Sequence, residues 1–520
     1  SFPHCTINTT ENGGAVTHQM TLQADQEQAV WTWMMLSDRR KYTHFPDFAQ
    51  LQTHIAEHRR GWADFWSTST VTFEDQRLND LRQSALYAVR CNASPWSIPP
   101  TYMPSFWEGR TFHDELYPFL ALLSGGYVDL AKRIPDFRLN TLPEALYYGG
   151  GEAANFPWEA IETGEEGGPY GPWMDERLHI GQFSETAWRY CMYLRDHEEL
   201  RRYYPLLRGC AEMFVQDVLL RDEEGTLKTR RVTDFDEAIY PVSNGIFTIS
   251  AAIRTLENAA TAARQLGVDT KRSQQWYEMA QELRQTMPGE DYYTVADDAD
   301  DDHWHIAQVG PIFPFAVDID SPKAQETVSR LYNALKTDHN TRAGSAPAYD
   351  GSHWMWSAAM IATAYFLQGR GDEGYDLLVR VLNSTGPFLS PNEHDRDTYP
   401  LPVIPWFTTS SGAIVFAMHS LFVQVHDNGS TLLNGVGSLI KNVRFERLLA
   451  THGVRVSGEL SGGELVRLVL HAEEDLPFWG FLLPQSIADA SGLQGTPHQN
   501  DHIYIECSLK AGDTVLVKTI

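Results

Sequence analysis

Apolar residues recur at helical spacing along most of the chain, between about residues 76 and 426. One such run, which follows Asn244, places Ile249, Ile253, Leu256 and Ala260 on a single helical face. Long loops rich in Gly, Pro, Asp and Trp separate these helices, and loops of this kind usually carry function. The span has room for six helix pairs, so the pattern predicts a large helical domain whose loops bear its chemistry.

After Asn428 the pattern changes from helical spacing to alternation. Val443 alternates with Phe445, and Val454 with Val456, in short runs separated by glycine-containing turns. These runs predict short antiparallel strands in a small C-terminal sandwich. Near the other end of the chain, residues 30–35 are strand-like, and the apolar residues after residue 47 return to helical spacing, as in a linker helix.

Two adjacent acids, Asp236 and Glu237, stand in the loop that precedes the helix of Ile249. A carboxylic acid held beside buried aromatic groups keeps its proton near neutral pH, and such a group protonates leaving groups. In the alternative interpretation Asp236 caps the helix and Glu237 is solvated, which is the more common arrangement for an isolated acid pair.

Three further loops between helices combine acids with aromatic residues. An indole face covers the apolar C–H groups of a sugar, while a carboxylate binds its hydroxyls in pairs. The pattern therefore indicates a carbohydrate site. The candidate residues in or just after these loops are Trp107, Arg110, Asp114, Trp158, Glu159, His179 and Glu393.

With these motifs the chain resembles glycoside hydrolase family 65 and its six-hairpin relatives, in the same order from about residue 45 to residue 425. The resemblance implies a mainly α fold: an (α/α)6 barrel with a small C-terminal antiparallel β-sandwich domain and a remnant of an N-terminal β domain. It also implies inverting cleavage of α-glucosides, by hydrolysis or phosphorolysis. The expected domains are residues 1–75 (N-terminal β remnant and linker helix), 76–427 (catalytic barrel) and 428–520 (C-terminal β domain).

The resemblance also implies roles for single residues. The Asp-Glu motif makes Glu237 the general acid, and Glu393 stands where the hydrolytic members have their general base. Asp114 is the nearest match to the family's Phe-Trp-Asp carboxylate, and Trp158 with Glu159 matches its Trp-Glu motif, so these three are expected to hold the nonreducing sugar. The further candidates for sugar contact are Gln308, Arg110, His179, Trp107 and Trp354.

Two departures from the family pattern bear on the substrate. A late barrel loop reads Lys-Gln-Ala-Asp in the family but Ile-Ala-Gln-Val here, so Ala307 replaces the lysine beside a retained Gln308, and we expect altered selection of glucose. Trp354 and Trp356 stand where the family has small hydroxyl residues. Their bulk crowds the place where hydroxyls and backbone N–H groups would bind phosphate, which favours water as the acceptor.

Composition excludes several other classes. A net charge of −27 and a pI near 5.0 argue against nucleic acid and anionic membrane surfaces as partners. No apolar run reaches the roughly 18 residues that a membrane span needs. The five cysteines form no metal-binding pattern. Acid–base cleavage of a glycoside needs neither a metal nor an organic cofactor, and none is expected. Asn-x-Ser/Thr sequons favour a secreted or vacuolar glycoprotein and begin at Asn8, Asn92, Asn383 and Asn428.

The resulting interpretation is an inverting exo-acting α-glycosidase, an α-glucosidase acting on a disaccharide or a glucosylated acceptor. Three alternatives stay open. These are an inverting disaccharide phosphorylase, a lyase or epimerase that uses residues such as His113, His179 or Tyr240 as acid and base, and a non-catalytic sugar-binding protein. A homodimer, and a separate fragment carrying the rest of the N-terminal β-sandwich, are open as well.

Overall fold

The computed structural model describes residues 5–10, 13–18, 25, 47–101, 107–168, 170–237, 239–299, 306–336, 355–393 and 404–518. The chain divides into two units, residues 1–62 and residues 63–520. In the first unit, β1 (Cys5–Thr10) pairs antiparallel with β2 (Gly13–His18), and helix α1 (Phe48–Ser67) begins. The strand expected at residues 30–35 lies outside the described residues.

Helices make up most of the second unit, up to residue 420. Asp75 and Asp196 each start a helix by accepting hydrogen bonds from first-turn N–H groups. The helices are α2 (Gln76–Asn92), α3 (Leu116–Ser124), α4 (Val128–Asn140), α5 (Leu142–Tyr148), α6 (Leu178–Leu194), α7 (His197–Met213), α8 (Ile246–Leu266), α9 (Thr270–Arg284), α10 (Pro322–Lys336), α11 (Met355–Leu367), α12 (Gly371–Val381) and α13 (Thr408–Ser420).

Five of these helices form a buried inner ring, and burial on every side is why they lack a polar face. The ring contains α3, α6, α8, α11 and α13, and every residue of α3 and α13 is buried. A short 3-10 turn, Ala307–Val309, takes the remaining place between α8 and α11. The outer helices α2, α4, α7, α9, α10 and α12 cover the ring. This arrangement is an (α/α)6 barrel, and the predicted fold class is confirmed.

The β domain consists of two five-stranded sheets. Its elements are β3 (Thr70–Phe73), β6 (Val423–His426), β7 (Gly429–Leu432), β8 (Val443–Leu449), β9 (Arg455–Ser461), β10 (Glu464–Ala472), β11 (Leu476–Pro484), α14 (Gln485–Ser491), β12 (Thr496–His498), β13 (His502–Leu509) and β14 (Gly512–Lys518). A separate hairpin within the barrel joins β4 (Leu219–Arg221) to β5 (Leu227–Thr229).

The strand order is β14-β10-β9-β8-β3 in one sheet and β12-β13-β11-β7-β6 in the other. All pairs are antiparallel except the parallel pair of β11 and β7. β3 precedes the barrel helices, yet Thr70 to Phe73 pair with β8 more than 300 residues later. Each sheet therefore includes a strand that lies before residue 428: β3 in one and β6 in the other. The expected domain boundaries stay predictions.

The candidate residues precede the inner helices. Asp114 stands before α3, Trp158 before α6, Glu237 before α8 and Glu393 before α13. Each inner helix is preceded by an outer helix that runs the other way, so the loops before the inner helices meet at one end of the ring. Loops held on such a rigid scaffold are where binding residues are expected. Within the described residues, no helix has the length and apolar character needed to span a bilayer.

Candidate active site

The loop that carries Glu237 is fixed to the start of α8. The Asp234 carboxylate accepts hydrogen bonds from Phe247 N at 3.1 Å and Thr248 N at 2.8 Å. The Phe235 ring stacks on Phe247 with 4.0 Å between ring centroids. Asp234, and not Asp236, therefore provides the carboxylate at the start of the helix, which leaves Asp236 and Glu237 on the inner side of the loop.

Glu237 is partly buried, and the pKa of its carboxyl group is raised to about 7. Burial is the largest cause, because it disfavours the charged form, and the negative charges of Asp236 and Glu159 add to it. A glutamic acid in this state holds a proton up to neutral pH, as a general acid requires.

Asp114 is a second acid of the site; it is buried, and the charge of Glu237 acts on it. Its carboxylate accepts a hydrogen bond from Thr409 Oγ1 at 2.7 Å and lies 3.0 Å from His113 Nδ1. Burial raises the pKa of Asp114 to about 7; the hydrogen bond from Thr409 opposes this effect, and the charge of Glu237 adds to it. The two acids are thus close enough to influence each other's ionisation.

Glu393 joins this cluster from the segment before α13. Its N–H donates to Ile404 O at 3.0 Å, and the neighbouring Asn392 bridges to Pro405. Burial, followed by the charges of Asp114 and Glu237, raises the pKa of Glu393 well above its ordinary value. The fold therefore brings Asp114, Glu237 and Glu393 together, although they are far apart in the chain.

The Trp158–Glu159 segment is held by the carboxylate of Glu166, in the turn that follows it. The Glu166 carboxylate accepts from Trp158 N at 2.7 Å and from Glu159 N at 3.0 Å. Arg110 Nε donates to the buried Glu159 carboxylate, yet burial still raises the pKa of Glu159. Arg110 thus belongs to the site as the partner of Glu159, and the charge of Glu159 in turn acts on Glu237.

Trp107 and Trp158 lie among other aromatic rings beside the Trp158–Glu159 segment. Trp107 stacks on Phe112 at 5.8 Å between centroids and contacts Phe407 at 5.4 Å. Trp158 lies 5.4 Å from Phe112 and 5.7 Å from Trp173. The two predicted tryptophans thus share one aromatic cluster, from which an indole face can pack on the apolar side of a sugar ring.

The remaining predicted residues are Gln308, His179 and Trp354, and each has a different location. Gln308 is buried in the turn between α8 and α11, in the inner ring. His179 is buried in the first turn of α6, where its Nε2 lies 3.1 Å from Phe156 O and its ring contacts Phe183. Burial lowers the pKa of His179 to about 3, so this imidazole is neutral. Trp354 lies outside the described residues.

Glu176 is a further buried acid of the site that the sequence did not indicate. Its carboxylate accepts a hydrogen bond from Trp158 Nε1. Burial raises the pKa of Glu176 well above its ordinary value, and the charges of Glu237 and Asp114 contribute. Glu176 stands between Asp175 and Arg177, so nothing in the local sequence separates it from a solvated acid.

The hydroxyl groups at the start of α13 all have partners inside the protein. Thr408 Oγ1 donates to Pro99 O at 2.9 Å, Thr409 Oγ1 to Asp114, and Ser410 Oγ to Asn392 O at 2.7 Å. Ser411 Oγ donates to Phe407 O at 2.8 Å. These hydroxyls hold the loop of Glu393 and the carboxylate of Asp114 in place.

The acid cluster does not have the arrangement of a metal site. Across the part of the chain that the structure describes, no three His, Cys, Asp or Glu side chains are grouped so as to hold an ion. The chemistry available to the described residues is therefore that of carboxylic acids and carboxylates beside an aromatic surface.

Comparison with known proteins agrees with this arrangement. Residues 163–402, somewhat less than half of the chain, match the family model described as the glycosyl hydrolase family 95 catalytic domain. The chain is 26% identical over 228 residues to a kojibiose hydrolase of Flavobacterium johnsoniae, which covers 41% of this chain and 33% of that protein. It is 24% identical over 302 residues to a protein-glucosylgalactosylhydroxylysine glucosidase of Gallus gallus, covering 52% and 42%.

Among solved structures, the fold is similar to that of a protein from the human microbiome provisionally named a kojibiose phosphorylase. The TM-score is 0.58 at 11% identity, with 89% of this chain and 70% of that chain covered. Fold and family match together define the class of protein as (α/α)6-barrel relatives of the glycoside hydrolases. The matches do not single out family 65, and the chain spans well under two thirds of the length of the curated relatives named above.

Proposed function

We propose that this protein is an inverting exo-acting α-glycosidase, an α-glucosidase that hydrolyses a disaccharide or a glucosylated acceptor. The observation that carries the proposal is the position and state of Glu237. This carboxylic acid keeps its proton to about pH 7 on a loop fixed by the Asp234 cap, beside two more acids from other loops.

In the proposed mechanism, Glu237 donates its proton to the glycosidic oxygen. Glu393 accepts a proton from a water molecule that attacks the opposite face of the sugar, so the anomeric configuration inverts. The charge of Glu237 raises the pKa of Asp114, and the charges of Asp114 and Glu237 raise that of Glu393, so the three acids titrate together. The form that the mechanism requires carries the proton on Glu237 and none on Glu393, and it competes with the form in which Glu393, whose pKa is also raised, keeps a proton.

Substrate binding is assigned to the surrounding groups. Asp114 and Glu159 bind hydroxyls of the nonreducing sugar, and Trp158 packs on its apolar face. Arg110 keeps the Glu159 carboxylate in a fixed orientation. A neutral carbohydrate also suits a protein of net charge −27, since an anionic substrate would be repelled. A secreted or vacuolar location belongs to the same proposal.

Three observations favour hydrolysis over the alternatives. In the family that the chain resembles, phosphorylases accept phosphate at the turn that corresponds to Thr408 to Ser411, and here the hydroxyls of that turn are engaged inside the protein. His179, one candidate acid or base of a lyase or epimerase, is a buried neutral imidazole held at Phe156 O. A binding protein without catalysis would have no use for a carboxylic acid whose pKa is raised to about 7.

The test is release of monosaccharide from a panel of α-linked glucosyl disaccharides, each with and without added phosphate. We expect free glucose in both conditions, first appearing as the β-anomer by NMR. A requirement for phosphate, with glucose 1-phosphate as product, would establish the phosphorylase instead. Retained anomeric configuration would exclude the proposed pair of Glu237 and Glu393.

A further inference from the structure

Glu176 is tied through the backbone to the segment that leads to Glu237. A parallel bridge joins Glu176 to Thr233, four residues before Glu237. Thr233 Oγ1 also donates to Pro172 O at 2.5 Å. On the outer side, the Arg230 guanidinium binds both carboxylate oxygens of Asp175, at 2.8 and 3.0 Å. The turn before Glu176 and the strand before the predicted acid therefore move as one piece.

The side chain of Glu176 makes the second connection, to the aromatic cluster. Trp158 Nε1 donates to its carboxylate, while the Trp158 ring contacts Phe112 and Trp173. The indole is therefore held at its polar end by Glu176 and lies beside two other aromatic rings. Glu176 is the group that links the sugar-facing tryptophan to the loop of the general acid.

The choice of a carboxylate at this position needs a reason. A buried indole N–H requires an acceptor, but a backbone carbonyl or an amide side chain would provide one at lower cost. A buried carboxylate is among the most expensive groups to remove from water. The charges of Glu237 and Asp114 add to that cost, and a costly buried acid beside other acids is typical of a functional site.

We propose that Glu176 is a positioning residue of this active site, which orients the indole of Trp158 and ties it to the segment that leads to Glu237. This inference rests on the proposed function, because it assigns to Glu176 a part in the same reaction. Glu176 itself transfers no proton to the substrate.

The experiment compares Glu176→Gln, Glu176→Ala, Trp158→Phe and the double variant Trp158→Phe/Glu176→Ala. Glutamine keeps an oxygen acceptor for the indole N–H but removes the charge, whereas alanine removes both. The matched control is Glu212→Gln, which removes a buried acid of α7 that bonds only to Gln216 and lies near Arg272 among the described residues. Each variant is measured by kcat/KM against pH on the best disaccharide, with circular dichroism as the folding control.

For Glu176→Gln we expect kcat/KM to stay within about threefold of the wild-type value, because glutamine keeps an acceptor for the indole N–H. For Glu176→Ala we expect kcat/KM to fall by about a hundredfold, the scale of a misplaced binding group. The double variant should lose no more than the worse single variant, since both changes break one link. Glu212→Gln should leave the profile unchanged.

Binding of 1-deoxynojirimycin, followed by tryptophan fluorescence, separates the two proposals. A wild-type protein that neither cleaves the panel nor binds the iminosugar refutes the proposed function and this inference with it. A wild-type protein that cleaves or binds, while Glu176→Ala keeps the kinetic or binding constants or Glu176→Gln loses as much as Glu176→Ala, refutes the inference alone. Additive losses in the double variant would also overturn it, because the two side chains would then act independently.

Discussion

Replacing Glu237 with glutamine separates two consequences of its raised pKa, one for catalysis and one for stability. At pH 6 an ordinary glutamic acid with a pKa of about 4.5 is only about 3% protonated, whereas one with a pKa of about 7 is about 90% protonated. The wild-type enzyme should therefore be most active on the acidic side of neutrality and lose activity as the pH rises through about 7. Glutamine cannot donate the proton, so hydrolysis of an unactivated disaccharide should fall at least about a hundredfold.

The effect on stability has the opposite sign. The pKa of Glu237 is raised in the folded protein, so its contribution to stability is fully present below about pH 4.5 and is lost as the pH rises through about 7. The rise in the pKa of Glu237 from about 4.5 to about 7 corresponds to a cost to folding on the order of 3 kcal/mol above neutral pH. Glu237→Gln removes this cost, so the variant should be more stable than the wild type at pH 8 and nearly equal to it at pH 4.

Urea unfolding at pH 4, 6 and 8, together with initial rates on the best disaccharide, tests both effects. Glu212→Gln serves as the control for the loss of a buried acid outside the site. A Glu237→Gln variant that folds normally and keeps near-normal turnover would refute the assignment of the general acid. A variant that is inactive but gains no stability at pH 8 relative to pH 4 would show that the carboxylate is not under electrostatic strain in the folded protein.

Three further predictions concern other parts of the molecule. Glu393→Ala should lose hydrolysis and regain part of it with azide, giving a glycosyl azide of inverted configuration. Absence of rescue would point to another base. The carboxyl groups of Glu393 and Glu237 are expected about 6.5 to 9.5 Å apart. Ala307→Lys should shift preference toward glucose on a panel of hexosides, whereas strict glucose preference in the wild type would show that another residue replaces the lysine. Asp427→Asn removes the carboxylate that pairs with the buried Arg254 at 2.7 Å and should lower the free energy of unfolding by about 1 to 2 kcal/mol at pH 7. This last difference should shrink as the pH falls below about 4 and vanish only at still lower pH, because the pKa of Asp427 is lowered in the folded protein and the ion pair is lost as the pH falls through that lowered value; a difference independent of pH would refute the ion pair as its cause.

The fold was largely predictable because the local sequence pattern indicates most of its helices and strands. The inner helices α3 and α13 are buried on every side, and the alternation of Val443 and Phe445 matches the two buried positions of β8 that flank the exposed Arg444. β3 was not predicted. It has only four residues, and its alternation gains meaning only from pairing with a strand more than 300 residues away.

The candidate site was predictable to the extent that motif residues precede inner helices. Glu237, Asp114 and Glu393 were selected on separate loops, and the structure brings these loops together so that each acid affects another's pKa. The source of the helix cap was not predictable from spacing. Asp234 and Asp236 stand at similar distances from α8, and only the path of the loop decides that Asp234 reaches Phe247 N and Thr248 N.

Glu176 shows why a buried acid can escape prediction. In the sequence it stands between Asp175 and Arg177, and three consecutive charged residues usually indicate a solvated segment. Glu176 has an extended backbone between the 3-10 turn Pro172–Asp175 and α6, and its parallel bridge to Thr233 holds it there. Asp175 and Arg177 accordingly pair with Arg230 and Asp217 near the surface, while Glu176 turns inward to Trp158. Because that bridge joins residues 57 positions apart, the inward direction of Glu176 is a property of the fold, and any search for active-site acids in this chain has to start from burial as well as from motifs.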